Sequence, residues 1–245
     1  MLVGGAQADK SARLVAPDEP LTVLGPPAPF VGRGGQKLDA ALTQFAVDPH
    51  GRRVLDAGAS TGGFTHCLLE RGAARVYAVD VGHGQLDQRL REDQRVVVLE
   101  RVNVRTLTPE TLRSRDPTFE PCSLITADLS FISLVTVVPV LCGPLGGDDA
   151  ELVLLVKPQF EAGRAVVSRG KGVIRDPEVW LHSLERVSSA LRAAGTGIMG
   201  AMVSPLTGPA GNVEFLVHGR KGAAGAPPAD VGRLLSGAVD EATAR

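Results

Sequence analysis

A lysine closes the apolar run Glu151-Leu152-Val153-Leu154-Leu155-Val156-Lys157, and an ammonium at that place is costly unless it has a partner or a task. Side chains of complementary type stand at three other points. Asp128 ends the run from Ser123, Glu214 lies within Gly211-Asn212-Val213-Glu214-Phe215, and Lys37 follows Gly32-Arg33-Gly34-Gly35. Two lysines and two acids are a set that can orient a hydroxyl and relieve it of its proton. Lys157 would be the amine that acts, Asp128 and Glu214 would position it, and Lys37 would add a second positive charge. An ordinary lysine–aspartate salt bridge at a sheet edge is the competing reading of the same residues.

A second segment says what the hydroxyl would attack. Val54-Leu55-Asp56-Ala57-Gly58-Ala59-Ser60-Thr61-Gly62-Gly63-Phe64 reads as a strand, a glycine-rich turn and a helix start, a shape that brings backbone N–H groups close to a nucleotide-like ligand. The spacing is neither Gly-x-Gly-x-x-Gly nor a Walker Gly-Lys-Ser/Thr, which disfavours a dinucleotide or a nucleoside triphosphate. S-adenosylmethionine fits better. Asp56 could hold its cationic methionine end, directly or through water, and Asp80 of Ala78-Val79-Asp80-Val81-Gly82 could accept both ribose hydroxyl hydrogens. Asn103 or Arg105, just after the third strand, could line the adenine pocket. The expected cofactor contacts are Asp56, Gly58, Ser60, Thr61, Gly62, Gly63, Phe64, Asp80, Val81, Asn103, Val104 and Asp128. A tight turn with aspartates capping neighbouring helices is the plainer alternative.

Transfer from a sulfonium is an in-line displacement, so the acceptor oxygen must sit behind the methyl carbon. Asp128-Leu129-Ser130-Phe131 lacks the two prolines with which base-methylating enzymes hold a planar amine, and a sugar hydroxyl is the better acceptor.

Placing these groups on one rim requires elements in a particular order. Arg53 to Asp56, Arg75 to Asp80, Arg95 to Leu99, Ser123 to Asp128 and Glu151 to Lys157 are short runs rich in Val, Leu and Ile and read as buried strands. Between them Gly63 to Arg71, Gln85 to Glu92 and Leu134 to Leu141 can be helices, and Gln36 to Ala46 carries helical spacing ahead of the first strand. Asp176-Pro177 starts a helix that ends at Gly195. Strands over Gly197 to Val203 and Val213 to Val217 and a helix over Val231 to Ala244 complete the chain. The alternation predicts an α/β fold with a doubly wound, mostly parallel sheet of seven strands, whose reaction site is at the carboxyl ends of the strands. Met1 to Val23 reads as a small hairpin followed by a proline-rich linker.

With 26 basic and 27 acidic residues, global charge gives no attraction to RNA or to an acidic membrane, so any nucleic-acid contact must be local. The three cysteines form no Cys-x-x-Cys pair, and the five histidines lack zinc-ligand spacing, which predicts no metal and a reduced, cytoplasmic protein. Charged residues in the N-terminal stretch argue against a signal peptide, and no apolar run is long enough for a membrane span.

Through these motifs the chain resembles the TlyA family of bacterial ribosomal RNA 2′-O-methyltransferases, sometimes named hemolysins and related to FtsJ-like enzymes. The likeness runs from about Phe30 to Arg220 and includes Val31 to Leu38, Asp56 to Phe64, Val79 to Gly82, Asn103 to Arg105, Asp128 to Leu134, Lys157 to Glu161 and Gly211 to Phe215. It implies a Rossmann-like methyltransferase sheet, S-adenosylmethionine as cofactor, ribosomal RNA or ribosomal subunits as partner, and a Lys-Asp-Lys-Glu tetrad that falls on Lys37, Asp128, Lys157 and Glu214. His66 stands where the family usually has an acid, and Ala57 where Ile is common. The family also carries an N-terminal S4 RNA-binding domain, of which residues 1–25 resemble only the last hairpin. On this reading 26–34 is a linker, 35–220 the methyltransferase domain and 221–245 a linker and terminal helix. Arg33, Arg164, Arg169, Lys171 and Arg175 flank the site and are the expected RNA contacts. The other functions to weigh are a noncatalytic RNA-binding or ribosome-assembly factor on the same scaffold, a small-molecule O-methyltransferase, and a pore-forming hemolysin.

Overall fold

A computed structural model describes residues 1–8, 13–22, 24, 28–163, 167–168, 170 and 172–245. Its centre is a seven-stranded sheet of β4 (Arg53–Ala57), β5 (Arg75–Asp80), β6 (Val96–Glu100), β7 (Cys122–Ala127), β8 (Gly146–Val156), β9 (Thr196–Val203) and β10 (Phe215–Lys221). The spatial order is β6-β5-β4-β7-β8-β10-β9. β4 is parallel to β5 and β7, β5 to β6 and β7 to β8, while β10 runs antiparallel to both β8 and β9. The mostly parallel sheet expected from the alternating runs is therefore present.

Apolar residues of neighbouring positions serve opposite faces, because side chains alternate along a strand. Leu55, Tyr77, Ile125 and Leu154 pack beneath α5 (Leu134–Leu141), α7 (Pro177–Ala193) and α8 (Pro228–Thr243). Val54, Val76, Leu124 and Val153 pack against α1 (Gly34–Gln44) and α2 (Gly63–Glu70). Both faces are dry, which is why the strands read as continuous apolar runs. The short helices α3 (Gln88–Glu92), α4 (Pro109–Arg113) and α6 (Pro158–Glu161) fill the connections.

The strand order reverses between β4 and β7, where Asp56 pairs with Thr126 and Ala57 with Ala127. The turns leaving these two strands emerge side by side and open the crevice typical of such a switch point.

Several boundaries differ from the sequence reading. β8 starts at Gly146 and Lys157 lies one residue beyond it, at the N-cap of α6. Glu214 immediately precedes β10 instead of lying within it, although its carbonyl still accepts from Ser204 N–H at 2.8 Å. The helix expected from Gln85 begins only at Gln88, because the Asp87 carboxylate accepts from Arg89 N–H at 2.9 Å and caps it there. The terminal helix begins at Pro228, three residues early, with proline at its first turn. The hairpin gains a third strand: β1 (Leu2–Val3) lies between β2 (Ala6–Gln7) and β3 (Leu21–Thr22), antiparallel to both. Among the described residues, no helix is long and apolar enough to cross a membrane.

Candidate active site

The turn after β4 is built by close backbone approaches. Gly58 and Ala59 N–H donate to the Val79 carbonyl at 2.8 and 3.1 Å. Gly58 has φ +85°, and a Cβ there would lie 2.5 Å from the Asp128 carbonyl oxygen, so only glycine fits the dihedral and the gap together. Ser60 N–H donates to one Asp80 oxygen at 2.8 Å and Gly82 N–H to the other at 2.7 Å. Two backbone bonds thus hold that carboxylate at the rim, with lone pairs left for a diol.

Beside this turn lies a cavity of about 570 Å³. Gly58, Ser60, Asp80, Val81, Asn103, Val104, Arg105 and Asp128 line it, together with apolar Leu129, Ile132 and Val137. Its size and mixture of apolar wall with few polar groups suit a nucleoside-sized ligand. The Asn103 side-chain oxygen accepts from Arg105 N–H at 3.0 Å, leaving its amide hydrogens available.

Five expected contacts lie outside this wall: Thr61, Gly63 and Phe64 border a neighbouring cavity, while Gly62 and Asp56 line neither. Gly62, at φ +97°, faces Leu86 and Leu90, and a Cβ would meet Leu90 at 2.2 Å. Asp56 is fully buried. Its carboxyl accepts from Thr65 Oγ1 at 2.6 Å and Thr126 Oγ1 at 3.1 Å, so it braces the turn from beneath and does not reach the cavity. Burial pushes its pKa up to about 7, the two threonine hydroxyls pulling back and the Asp128 charge adding to the rise. Gln85, Leu129, Ser130, Phe131, Ile132 and Val137 were not singled out as cavity residues. For Leu129, Phe131, Ile132 and Val137 the signal is the apolar character of the stretch following Asp128; Gln85 and Ser130 carry none.

A second cavity of about 310 Å³ shares Gly58, Ser60, Asp128 and Ser130 with the first and receives Thr61, Gly63 and Phe64 from the turn. Lys37, Lys157 and Glu214 reach it from three other elements. All four tetrad residues therefore surround one space. They divide into two ion pairs, which corrects the expectation that both acids serve Lys157. Lys37 Nζ donates to Glu214 Oε2, with the two side chains 7% and 2% exposed. Lys157 Nζ lies 2.5 Å from Asp128 Oδ1, an approach that lacks hydrogen-bond alignment, and donates to Ser130 Oγ at 3.0 Å.

Local chemistry explains the placement. A Cβ on Gly35 would collide with Phe30 at 2.3 Å, and one on Gly34 would crowd Phe64 at 3.2 Å, so glycine lets the start of α1 press Lys37 into the crevice. Asn212 carries its amide between Ile174 N–H and the Gly172 carbonyl, both at 2.9 Å, and its own carbonyl accepts from Gly208 N–H. That clasp fixes the approach to Glu214. His66 accepts from Val31 N–H at 3.1 Å on Nδ1 and stands edge-on to Phe30. It thereby ties down the segment entering α1.

Arg33 is exposed and donates to the Thr207 carbonyl across the second cavity, and Arg175 is exposed before α7. Arg164, Arg169 and Lys171 lie outside the described residues. Phe131, 92% exposed, takes the left-handed φ of +65°, with its ring 5.3 Å from that of Phe160. Among the described residues, no cluster of three or more His, Cys, Asp or Glu is placed to hold a metal ion.

A doubly wound sheet with a reversed last strand, a glycine turn against a nucleoside-sized cavity and an aspartate held at its rim by two backbone N–H groups together define an S-adenosylmethionine-dependent methyltransferase. Residues 30–221 match the FtsJ-like methyltransferase family. The 16S/23S rRNA (cytidine-2′-O)-methyltransferase TlyA of Mycobacterium tuberculosis is 49% identical over 216 residues, 88% of this chain and 78% of that protein. A solved hemolysin from Streptococcus thermophilus superposes with a TM-score of 0.80 at 37% identity, covering 92% of this chain and 80% of that one. Another from Lactococcus lactis gives 0.78 at 40%, over 87% and 98%. The chain belongs to the FtsJ-like methyltransferase family, among its TlyA-type members.

Proposed function

We propose that this protein methylates a ribose 2′-hydroxyl of ribosomal RNA, with Lys37, Asp128, Lys157 and Glu214 as its catalytic set. The observation that carries the reading is the meeting of two lysine–carboxylate pairs around a cavity that joins the cofactor cavity at Gly58, Ser60, Asp128 and Ser130. Bound at the first cavity, S-adenosylmethionine supplies an electrophilic methyl group.

Gly58, Ser60, Asp80, Val81, Asn103 and Val104 would hold its nucleoside part, with Thr61, Gly63 and Phe64 on the side facing the acceptor. Acting as the free amine, Lys157 orients the 2′-oxygen and takes its proton as the oxygen bonds to the methyl carbon, and Asp128 holds the ammonium that results. The Lys37–Glu214 pair sets a fixed dipole beside the developing negative charge, and its burial shields that dipole from water. Arg33 and Arg175 on the rim, with Arg164, Arg169 and Lys171, would meet phosphates, and Phe131 offers a ring face to a base lifted from its stack.

Residues 1–25 would serve as an S4-like attachment to RNA, 26–34 as linker, 35–220 as the catalytic domain and 221–245 as a closing segment. The TlyA protein of Mycobacterium tuberculosis, named for cytidine 2′-O-methylation of 16S and 23S rRNA, supports this substrate class, which would place the protein in the cytoplasm. Mass-spectrometric mapping of ribosomal subunits treated with the protein and labelled S-adenosylmethionine tests the reading. A new ribose methylation is expected with the natural protein and none with Lys157→Ala. Label absent from all RNA while the cofactor binds refutes it.

A further inference from the structure

The segment from Lys157 to Glu161 is laced to the loop from Asp128 to Leu134 at successive points. Lys157 Nζ donates to Ser130 Oγ at 3.0 Å, the Phe160 and Phe131 rings meet at 5.3 Å, and Glu161 accepts from Ser133 Oγ at 2.5 Å and Leu134 N–H at 2.7 Å. The deepest rung is anchored, for Glu161 is buried and Arg186 donates to its carbonyl. The Ser130 rung is different in kind, because it ends on the amine.

An amine on a flexible stem can rotate about its last bond, and an aligned hydrogen bond fixes where its lone pair and remaining N–H point. Asp128 Oδ1 lies 2.5 Å away but off that alignment, so the carboxylate holds the amine near without directing it. The aligned acceptor is Ser130 Oγ. Ser130 also lines both cavities, at the junction across which the methyl group must pass. Its neighbour Phe131 takes a left-handed backbone conformation, with its ring against that of Phe160.

We propose that Ser130 is the positioning residue that aims the Lys157 amine at the acceptor oxygen, an inference that rests on the methyltransferase reading above. Without this bond the amine turns into line with Asp128, and the bound substrate meets a misdirected group. The hydroxyl acts through Lys157, whose amine it accepts from.

Ser130 is exposed, so its truncation should leave the fold intact. Ser130→Ala and Ser130→Thr would be compared with the natural protein in single-turnover methylation of ribosomal subunits at saturating cofactor and RNA, with both affinities measured separately. The alanine variant should be slower by about tenfold at saturation, with both affinities within about twofold, and the threonine variant should recover most of the rate. A saturating rate within twofold of the natural protein for Ser130→Ala overturns the assignment. So does a loss that appears in RNA or cofactor affinity, or one that Ser130→Thr leaves unrestored. If the natural protein methylates no RNA, the substrate reading falls and takes the inference with it; methylation by the natural protein with full activity in Ser130→Ala sinks the inference alone.

Discussion

Asp56 offers the sharpest quantitative test, through Asp56→Asn. Burial raises the carboxyl from an ordinary 3.8 to about 7 in the folded protein, a displacement worth about 4 kcal/mol. The sign follows from proton counting. Between the two values the folded state binds the proton and the unfolded chain does not, so Asp56's contribution is fully present below about pH 4 and is lost as pH rises through 7. An amide has no such proton and can still bond both Thr65 and Thr126.

The stability of Asp56→Asn relative to the natural protein should therefore climb with pH, by about 3 kcal/mol between pH 5 and 8, and then level off. Urea unfolding of both proteins at several pH values measures this. Other groups, such as His218 with its burial-lowered pKa, are common to the two proteins and cancel in the difference. Parallel curves, separated by a constant amount, would mean that Asp56 is charged in the fold. Because the carboxyl does not line the cavity, cofactor affinity should stay within about threefold, and a larger loss would restore the direct contact that the geometry denies.

Removing the charge from Glu214 with Glu214→Gln leaves the Lys37 ammonium buried without its counter-charge, which should cost about 3–5 kcal/mol in urea unfolding and abolish methyl transfer. Unchanged stability would show that water reaches the pair. Gly58→Ala should weaken S-adenosylmethionine binding by tenfold or more in calorimetry, since its Cβ would press on the Asp128 carbonyl at a φ of +85°. Affinity within twofold would contradict the tightness of that turn. Phe131→Ala should hold stability to within about 1 kcal/mol, because the ring is exposed, while slowing methylation of ribosomal RNA about tenfold at unchanged cofactor affinity. Full activity would remove the ring from substrate recognition.

The sheet was legible because it is covered on both faces, so that each of its strands is an apolar run interrupted by turns. Asp128 and Lys157 were legible for the same reason: a charge ending such a run has nowhere to go but the rim. The direction of Asp56 was not legible. With both faces of β4 buried, alternation does not say whether a polar residue meets solvent, a ligand or a partner, and its partners stand 9 and 70 residues away. The division of the tetrad was hidden likewise, since residue types alone allow either acid to serve either lysine. α4 and α6 span too few residues to show a period, and the left-handed turn at Phe131 belongs to backbone geometry that composition does not encode.

The pairing of Lys37 with Glu214 joins positions 177 residues apart. During synthesis the lysine leaves the ribosome long before the glutamate that becomes its counter-charge. A polypeptide ended prematurely, before the tenth strand, would own the donor turn yet lack the acceptor wall. On the proposed assignment, competence for chemistry is thus withheld until the segment carrying Glu214 has been made and has folded back onto α1.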